Sequence, residues 1–314
     1  MSTAQTIPVV DLRWFYGSDR DRQRFIDQVG RSLEEIGFLA VVHAGVDSEL
    51  VQAAYRAAQH FFSLPEAVKL QYQIPGLNGQ RGFTQFGREH AKDHPFPDLK
   101  EFWHVGREPD HTQPFSYPAN VSPVEVPQLH PILSRLYAQL EACATDLLKA
   151  CALYLGEPEN LLSDMIRSSD TILRLTHYPP LPPHVHPASL RAAPHEDINL
   201  ITLLCEPTAD GLELLQRDGS WLPISALPGQ IIVDSGDMLQ HLTNGVLKST
   251  THRVVNPECD RQRRFSLPFF VHPRSEVDLT PLPTCVARSG QPPFARLTAG
   301  EYLQQRLKEI GLLV

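Results

Sequence analysis

Beyond Ser168 the apolar residues stop recurring at helical intervals and fall into short β-prone runs divided by Asp-Gly, Pro-Gly and Asn-Gly pairs. Such pairs make turns between strands, and many short strands at close spacing predict a jelly roll. The earlier half reads differently. Phe25, Val29, Leu33 and Ile36 recur at helical spacing until Gly37, and Phe38–His43 follows as a strand. A second helix is predicted from about Ser48 to Ser63, before Pro65, and a long one after Pro127 with Ile132, Leu133, Leu136, Leu140, Leu147 and Leu148 on one side. A last helix is predicted near Ala299 to Ile310. The expected fold is α+β and a single unit: a mostly helical region over 1–167, a double-stranded β-helix (jelly-roll) core over 168–275, and an extension with a helix over 276–314.

The chain is long enough to bury one large core, with 314 residues of which 42% are hydrophobic and 20% charged. A net charge of −8 with scattered Lys and Arg argues against a nucleic-acid surface. Five cysteines without a Cys-x-x-Cys leave an odd one, which predicts a reducing cytoplasm instead of a disulfide framework. The polar start and the lack of a long apolar stretch predict neither a signal peptide nor a membrane span.

Within the β region, His195 and Asp197 stand two apart at the head of the apolar run Ile198–Leu204. If that head is extended, both side chains share a face and Glu196 points away. His252 opens a further strand-like run, His252-Arg253-Val254-Val255, and supplies a third ligand once the chain folds back. Two imidazoles and one carboxylate on one side of an ion form the facial triad of non-haem Fe(II) oxygenases. In a chain with fourteen histidines a single His-x-Asp carries little weight. His184 and His186 offer a competing pair, but the surrounding prolines place them in a loop.

Downstream lies a second element. In Arg263–Val271, Arg264 and Ser266 alternate onto one face of an apolar strand, whereas Arg263 does not pair with Ser266. A guanidinium buried there needs an anion, because an unpartnered buried charge costs several kcal/mol. A dicarboxylate such as 2-oxoglutarate supplies a bidentate partner; an internal protein carboxylate is the alternative.

With these residues in view, the chain resembles the non-haem Fe(II), 2-oxoglutarate-dependent dioxygenases of the isopenicillin N synthase-like superfamily. The resemblance runs through Leu175-Thr176-His177-Tyr178-Pro179-Pro180, His195–Thr202, Asp218–Ile224, Pro228–Asp237, Ser249–Val254 and Arg264-Phe265-Ser266, in the family's order. The opening Ile7–Leu12 resembles the family's first strand, so nearly the whole chain is covered. The resemblance implies His195, Asp197 and His252 on iron, and Arg264 and Ser266 on the distal carboxylate of 2-oxoglutarate. It implies Tyr178, with Thr176 where the family often has Asn, as further contacts to a bound carboxylate. The interval from His252 to Arg264 is slightly long, through a larger hairpin at Asn256–Asp260. The implied reaction takes O2 and 2-oxoglutarate, oxidises an unactivated C–H and releases succinate and CO2. Hydroxylation is its commonest outcome, with desaturation or cyclisation as variants.

Rival readings stay open on the sequence. An isopenicillin N synthase-like Fe(II) oxidase needs no 2-oxoglutarate, a zinc hydrolase reuses the His-Asp-His set, and a non-catalytic metabolite-binding protein keeps only the scaffold. The small-molecule substrate is expected to meet two loops. Gln80–Gly87 brings Arg81 and Phe83, followed by Phe102 and His104 in a strand-like run; Pro179–Pro194 brings Arg191 just before the metal pair. If Arg81 or Arg191 faces the pocket, the substrate carries a carboxylate.

Overall fold

Short apolar strands build two facing sheets, and helices cover the outer face of the larger one, so that most of its strands are buried along their length. The computed structural model describes residues 6–77, 79–92, 94–109, 117–181, 185–186, 188–225, 227–257 and 261–309. The first half contributes β1 (Val9–Asp11), α1 (Asp19–Glu35), β2 (Phe38–Val42), α2 (Ser48–Phe62), α3 (Glu66–Lys69), β3 (Gly82–Thr84), β4 (Glu101–Gly106), α4 (Leu129–Tyr154) and α5 (Leu161–Met165). The second half contributes β5 (Ile172–Tyr178), β6 (Ala192–His195), β7 (Ile201–Cys205), β8 (Leu212–Leu215), β9 (Trp221–Ile224), β10 (Ile231–Ser235) and α6 (Asp237–Leu242). It continues through β11 (His252–Val254), β12 (Arg264–Val271), α7 (Pro283–Ser289) and α8 (Ala299–Glu309). The predicted helices lie where the sequence puts them, with Ile310 outside the described residues.

Local chemistry explains the helix bounds. The Ser18 hydroxyl accepts from the Asp21 N–H at the start of α1, with Asp19 and Asp21 in the first turn, where acidic groups favour the helix dipole. Gly37, at φ +81°, lets the chain turn directly into β2. Phe25, Val29 and Leu33 of α1 and Leu133, Leu136, Leu140 and Leu147 of α4 are buried in one core.

The larger sheet runs β1-β2-β10-β7-β12-β5-β4-β3 and the smaller one β6-β11-β8-β9. Four strands of the larger sheet come from the first half of the chain, more strand than helical periodicity predicts there. Gln80–Gly87, expected as a loop, contains β3, paired with β4 through Phe83↔Trp103. Alternation sorts the side chains of β5 and β12. Leu173, Leu175, Leu267, Phe269 and Val271 face the helical core. Arg174, Thr176, Tyr178, Arg264, Ser266 and Phe270 face the space between the sheets. No helix among the described residues is long and apolar enough to cross a membrane.

Candidate active site

β6 and β11 pair antiparallel with His195 directly opposite His252. Their rings lie 4.4 Å apart, and each Nε2 is 3.8 Å from Asp197 Oδ1. Among the described residues these three form a group whose ligand atoms all fall within 4.8 Å of one another. Asp197 gets there differently from the expectation: β6 stops at His195, so a turn delivers the carboxylate, not strand alternation. That turn is fixed from two sides. The Thr202 hydroxyl donates to Asp197 Oδ2, and the Asp237 N–H donates to the Asp197 carbonyl at 2.7 Å. Glu196 accepts from the Thr251 hydroxyl.

The imidazoles are set for ligation. His195 Nδ1 is 2.7 Å from the Ala193 carbonyl and His252 Nδ1 is 3.2 Å from the Thr250 carbonyl. A carbonyl only accepts, so the proton stays on Nδ1 and the Nε2 lone pair is left for a metal. Burial, then the neighbouring His195, lowers the His252 pKa to about 4, against the pull of Asp197. Burial and the Asp197 charge push the Asp234 carboxyl up, which keeps a second negative charge away from the first. Two neutral nitrogens and one carboxylate oxygen on one side fit Fe(II).

A small cavity of about 70 Å³ joins this group to Tyr178, Thr176, Arg264 and Ser266. Register explains the quartet, since β12 pairs with β5 through Arg264↔Tyr178 and Ser266↔Thr176. Arg264 is 1% exposed; its Nε donates to the Ala209 carbonyl at 3.0 Å, and its buried Nη1 has no partner. The Arg264 guanidinium lies 4.9 Å from the centre of the Tyr178 ring. An unpartnered buried guanidinium N–H is the deficit that a bound carboxylate fills.

A second cavity, of about 340 Å³, opens beside the triad. Of the residues expected on its wall, His104 lines it. Phe102 stands behind the lining, 4.0 Å from the Arg174 guanidinium. Phe83 packs against Phe61 and Phe62 in the helical core. Arg81 is fully buried with each of its three nitrogens engaged: Nη2 by Asp170 at 2.5 Å, Nη1 by the Gln80 carbonyl and Nε by the Pro118 carbonyl. Arg191 lies against the Tyr178 ring at 5.8 Å and donates to the Gln262 carbonyl. Burial, then nearby Arg264, brings its pKa down to about 10. Neither arginine lines the larger cavity. His184 lies outside the described residues, as do Glu258–Asp260 of the longer hairpin; His186 stacks on Phe96 at 4.0 Å.

The wall instead carries groups that the sequence reading passed over: Glu89, Asp98, Lys100, Arg174, His272 and Arg306. One signal was available, because Arg174 alternates with Thr176 and Tyr178 along β5. Glu89, Asp98 and Lys100 lie in or beside irregular chain with no period to read.

Comparison with known proteins places this geometry among relatives. Residues 169–273 match the 2OG-Fe(II) oxygenase superfamily, and residues 7–129 match the non-haem dioxygenase N-terminal region described from morphine synthesis. A 2-oxoglutarate-Fe(II) type oxidoreductase of Aspergillus fumigatus is 30% identical, across 86% of this chain and 83% of that one. A 2OG-Fe(II) oxygenase family protein from Caulobacter crescentus superposes with a TM-score of 0.85 at 39% identity, covering 98% and 99% of the two chains. A full-length Neurospora crassa protein, solved in complex with alpha-KG, superposes with a TM-score of 0.84 at 25% identity, covering 98% and 97%.

Proposed function

The chain belongs to the 2OG-Fe(II) oxygenase superfamily, and from that membership we infer that it oxidises a C–H bond of a small organic molecule, hydroxylation being the favoured outcome. It is an Fe(II)- and 2-oxoglutarate-dependent dioxygenase. The observation that carries the site assignment is the meeting of three ligand atoms within 4.8 Å, next to a buried arginine whose Nη1 lacks a partner.

We assign His195, Asp197 and His252 to the iron, and Arg264, Ser266, Tyr178 and Thr176 to the 2-oxoglutarate. The oxidising chemistry is that of iron and 2-oxoglutarate together, with succinate and CO2 as by-products. The protein's own contribution is geometric and electrostatic. The two Nδ1–H bonds to backbone carbonyls aim the imidazole lone pairs, the Thr202 hydroxyl and Asp237 N–H hold the carboxylate, and Arg264 fixes the far end of the co-substrate. Apolar cover from Phe270, Ile198 and Leu303 keeps water away from the reacting C–H. The isopenicillin N synthase-like affiliation is supported by the motif order. A reducing compartment, for which the cytoplasm is our assignment, is supported by the four cysteines among the described residues, which are free and buried. The Neurospora crassa protein has also been solved in complex with 5-formyluracil, a small molecule. The carboxylate expected on the substrate here lacks its anchors, since Arg81 and Arg191 lie off the cavity.

Anaerobic protein with Fe(II) is expected to develop a weak visible charge-transfer band on addition of 2-oxoglutarate. Arg264→Ala should weaken the apparent affinity about tenfold or more, since a hydrogen bond to a charged group contributes about 1.5–3 kcal/mol. No band and no calorimetric binding would favour an oxidase that does without 2-oxoglutarate.

A further inference from the structure

The larger cavity holds four cations, and each already has a protein carboxylate beside it. Arg174 Nη1 and Nη2 meet the two Glu89 oxygens at 3.0 and 2.9 Å. Lys100 Nζ lies 2.6 Å from Glu89 Oε1 and 2.8 Å from Asp98 Oδ2. Arg306 bridges Asp237 and Glu309, both at 2.9 Å. Lys92, at the mouth and 42% exposed, lies 3.0 Å from Glu309. The residues outside the described set contain no Lys or Arg.

Resting on the dioxygenase reading, we propose that the substrate is an uncharged molecule bearing a carbonyl, amide or hydroxyl on a largely apolar frame, not a carboxylic acid. Arg174, Lys100, Glu89 and Asp98 sum to zero charge, and the first three are side chains no more than 13% exposed. An anion entering beside them would find its cations neutralised and two carboxylates in repulsion range, and burying a charge without a partner costs several kcal/mol. An uncharged acceptor needs only a donor. Arg174 uses Nε on His104 at 2.7 Å and one hydrogen of each terminal nitrogen on Glu89, which leaves two N–H groups. Lys100 keeps one of its three. Both side chains stand where the two cavities meet, next to His195 and Asp197. Phe270, Ile172, Ile198, Leu303 and Leu307 supply apolar walls for the rest of the molecule.

The test uses full-length protein loaded with Fe(II) and 2-oxoglutarate under nitrogen. Its charge-transfer band is recorded first, so that failure of co-substrate binding is seen separately. Matched pairs of arenecarboxylic acids and their primary amides are then titrated, and every pair in which either member perturbs the band is scored. The amide is expected to bind at least tenfold tighter. Glu89→Gln, which leaves Arg174 without a carboxylate partner and Lys100 with Asp98 alone, should narrow or reverse that preference while the band persists. Should Glu89→Gln not fold, the wild-type preference still decides. Acids binding as tightly as their amides in the wild type would overturn the proposal. So would acid binding that Lys92→Ala abolishes, because it would place an anion anchor at the mouth.

Discussion

At the level of single residues, one backbone carbonyl per imidazole decides whether His195 and His252 present a lone pair or a proton to the space between them. Removing a ligand should therefore act on metal retention before it acts on folding. His195→Ala, Asp197→Ala and His252→Ala are each expected to lose bound iron, measured by metal analysis, and iron-dependent turnover, with the far-ultraviolet circular dichroism unchanged. Near wild-type activity in any of them would sink the assignment. Two other histidines are expected to make stability depend on pH. Burial lowers His272 to about 4, and burial with Arg174 lowers His104 well below its usual 6.5. Both are neutral when folded and take up protons on unfolding, so the unfolded chain binds more protons between about pH 4 and 6.5. Stability should fall as pH drops through that window, and His272→Asn should flatten the fall in urea midpoints between pH 7 and 5. The ligands were legible because their residue types are chemically specific. His272 and Arg174 were less so, since a lone histidine or arginine in a strand carries no chemistry until its neighbours are known.

Elements carry the next set of constraints, and here glycine gives the sharpest test. A Cβ on Gly236 would lie 2.3 Å from the Asn199 carbonyl oxygen and 2.8 Å from that of Asp197, both on the turn that delivers the metal carboxylate. Gly236→Ala must push that turn aside, so iron affinity should drop, as read by competition with a chelator, with a stability loss of about 1–3 kcal/mol typical of overpacking. Gly30 in α1 is a control away from the site: its Cβ would fall 1.9 Å from the Tyr154 ring of α4. Gly30→Ala should lower the melting temperature while iron affinity per folded molecule stays the same. Helices such as α1 and α4 were legible from apolar spacing, and β12 from its alternation of Arg264 and Ser266. β3 was not, because three residues, the first of them Gly82 at φ +71°, are too few to show a period. The turn at 196–200 was read as strand because its apolar residues, Ile198 and Leu200, are compatible with either.

Across the whole molecule, strand order was hidden from the sequence because its key pairings join distant residues. Ile231–Asp234 of β10 pair with Phe38–Val41 of β2, and Ile172–His177 of β5 pair with Glu101–Gly106 of β4. Alternation shows that a strand is half-buried; it does not show which strand lies beside it. This ladder has a consequence for any attempt to isolate the iron-binding portion. A fragment over 168–275 would keep His195, Asp197, His252 and Arg264, yet bare backbone N–H and C=O groups would run along both β10 and β5. Exposed, flat, apolar rows of this kind template association with other chains. The fragment is therefore expected to sediment as aggregate where the full chain stays monodisperse, and co-expression with 1–167 should recover soluble material. The first half of the chain thus acts as a built-in guard against fibre-like stacking of the very strands that carry the chemistry.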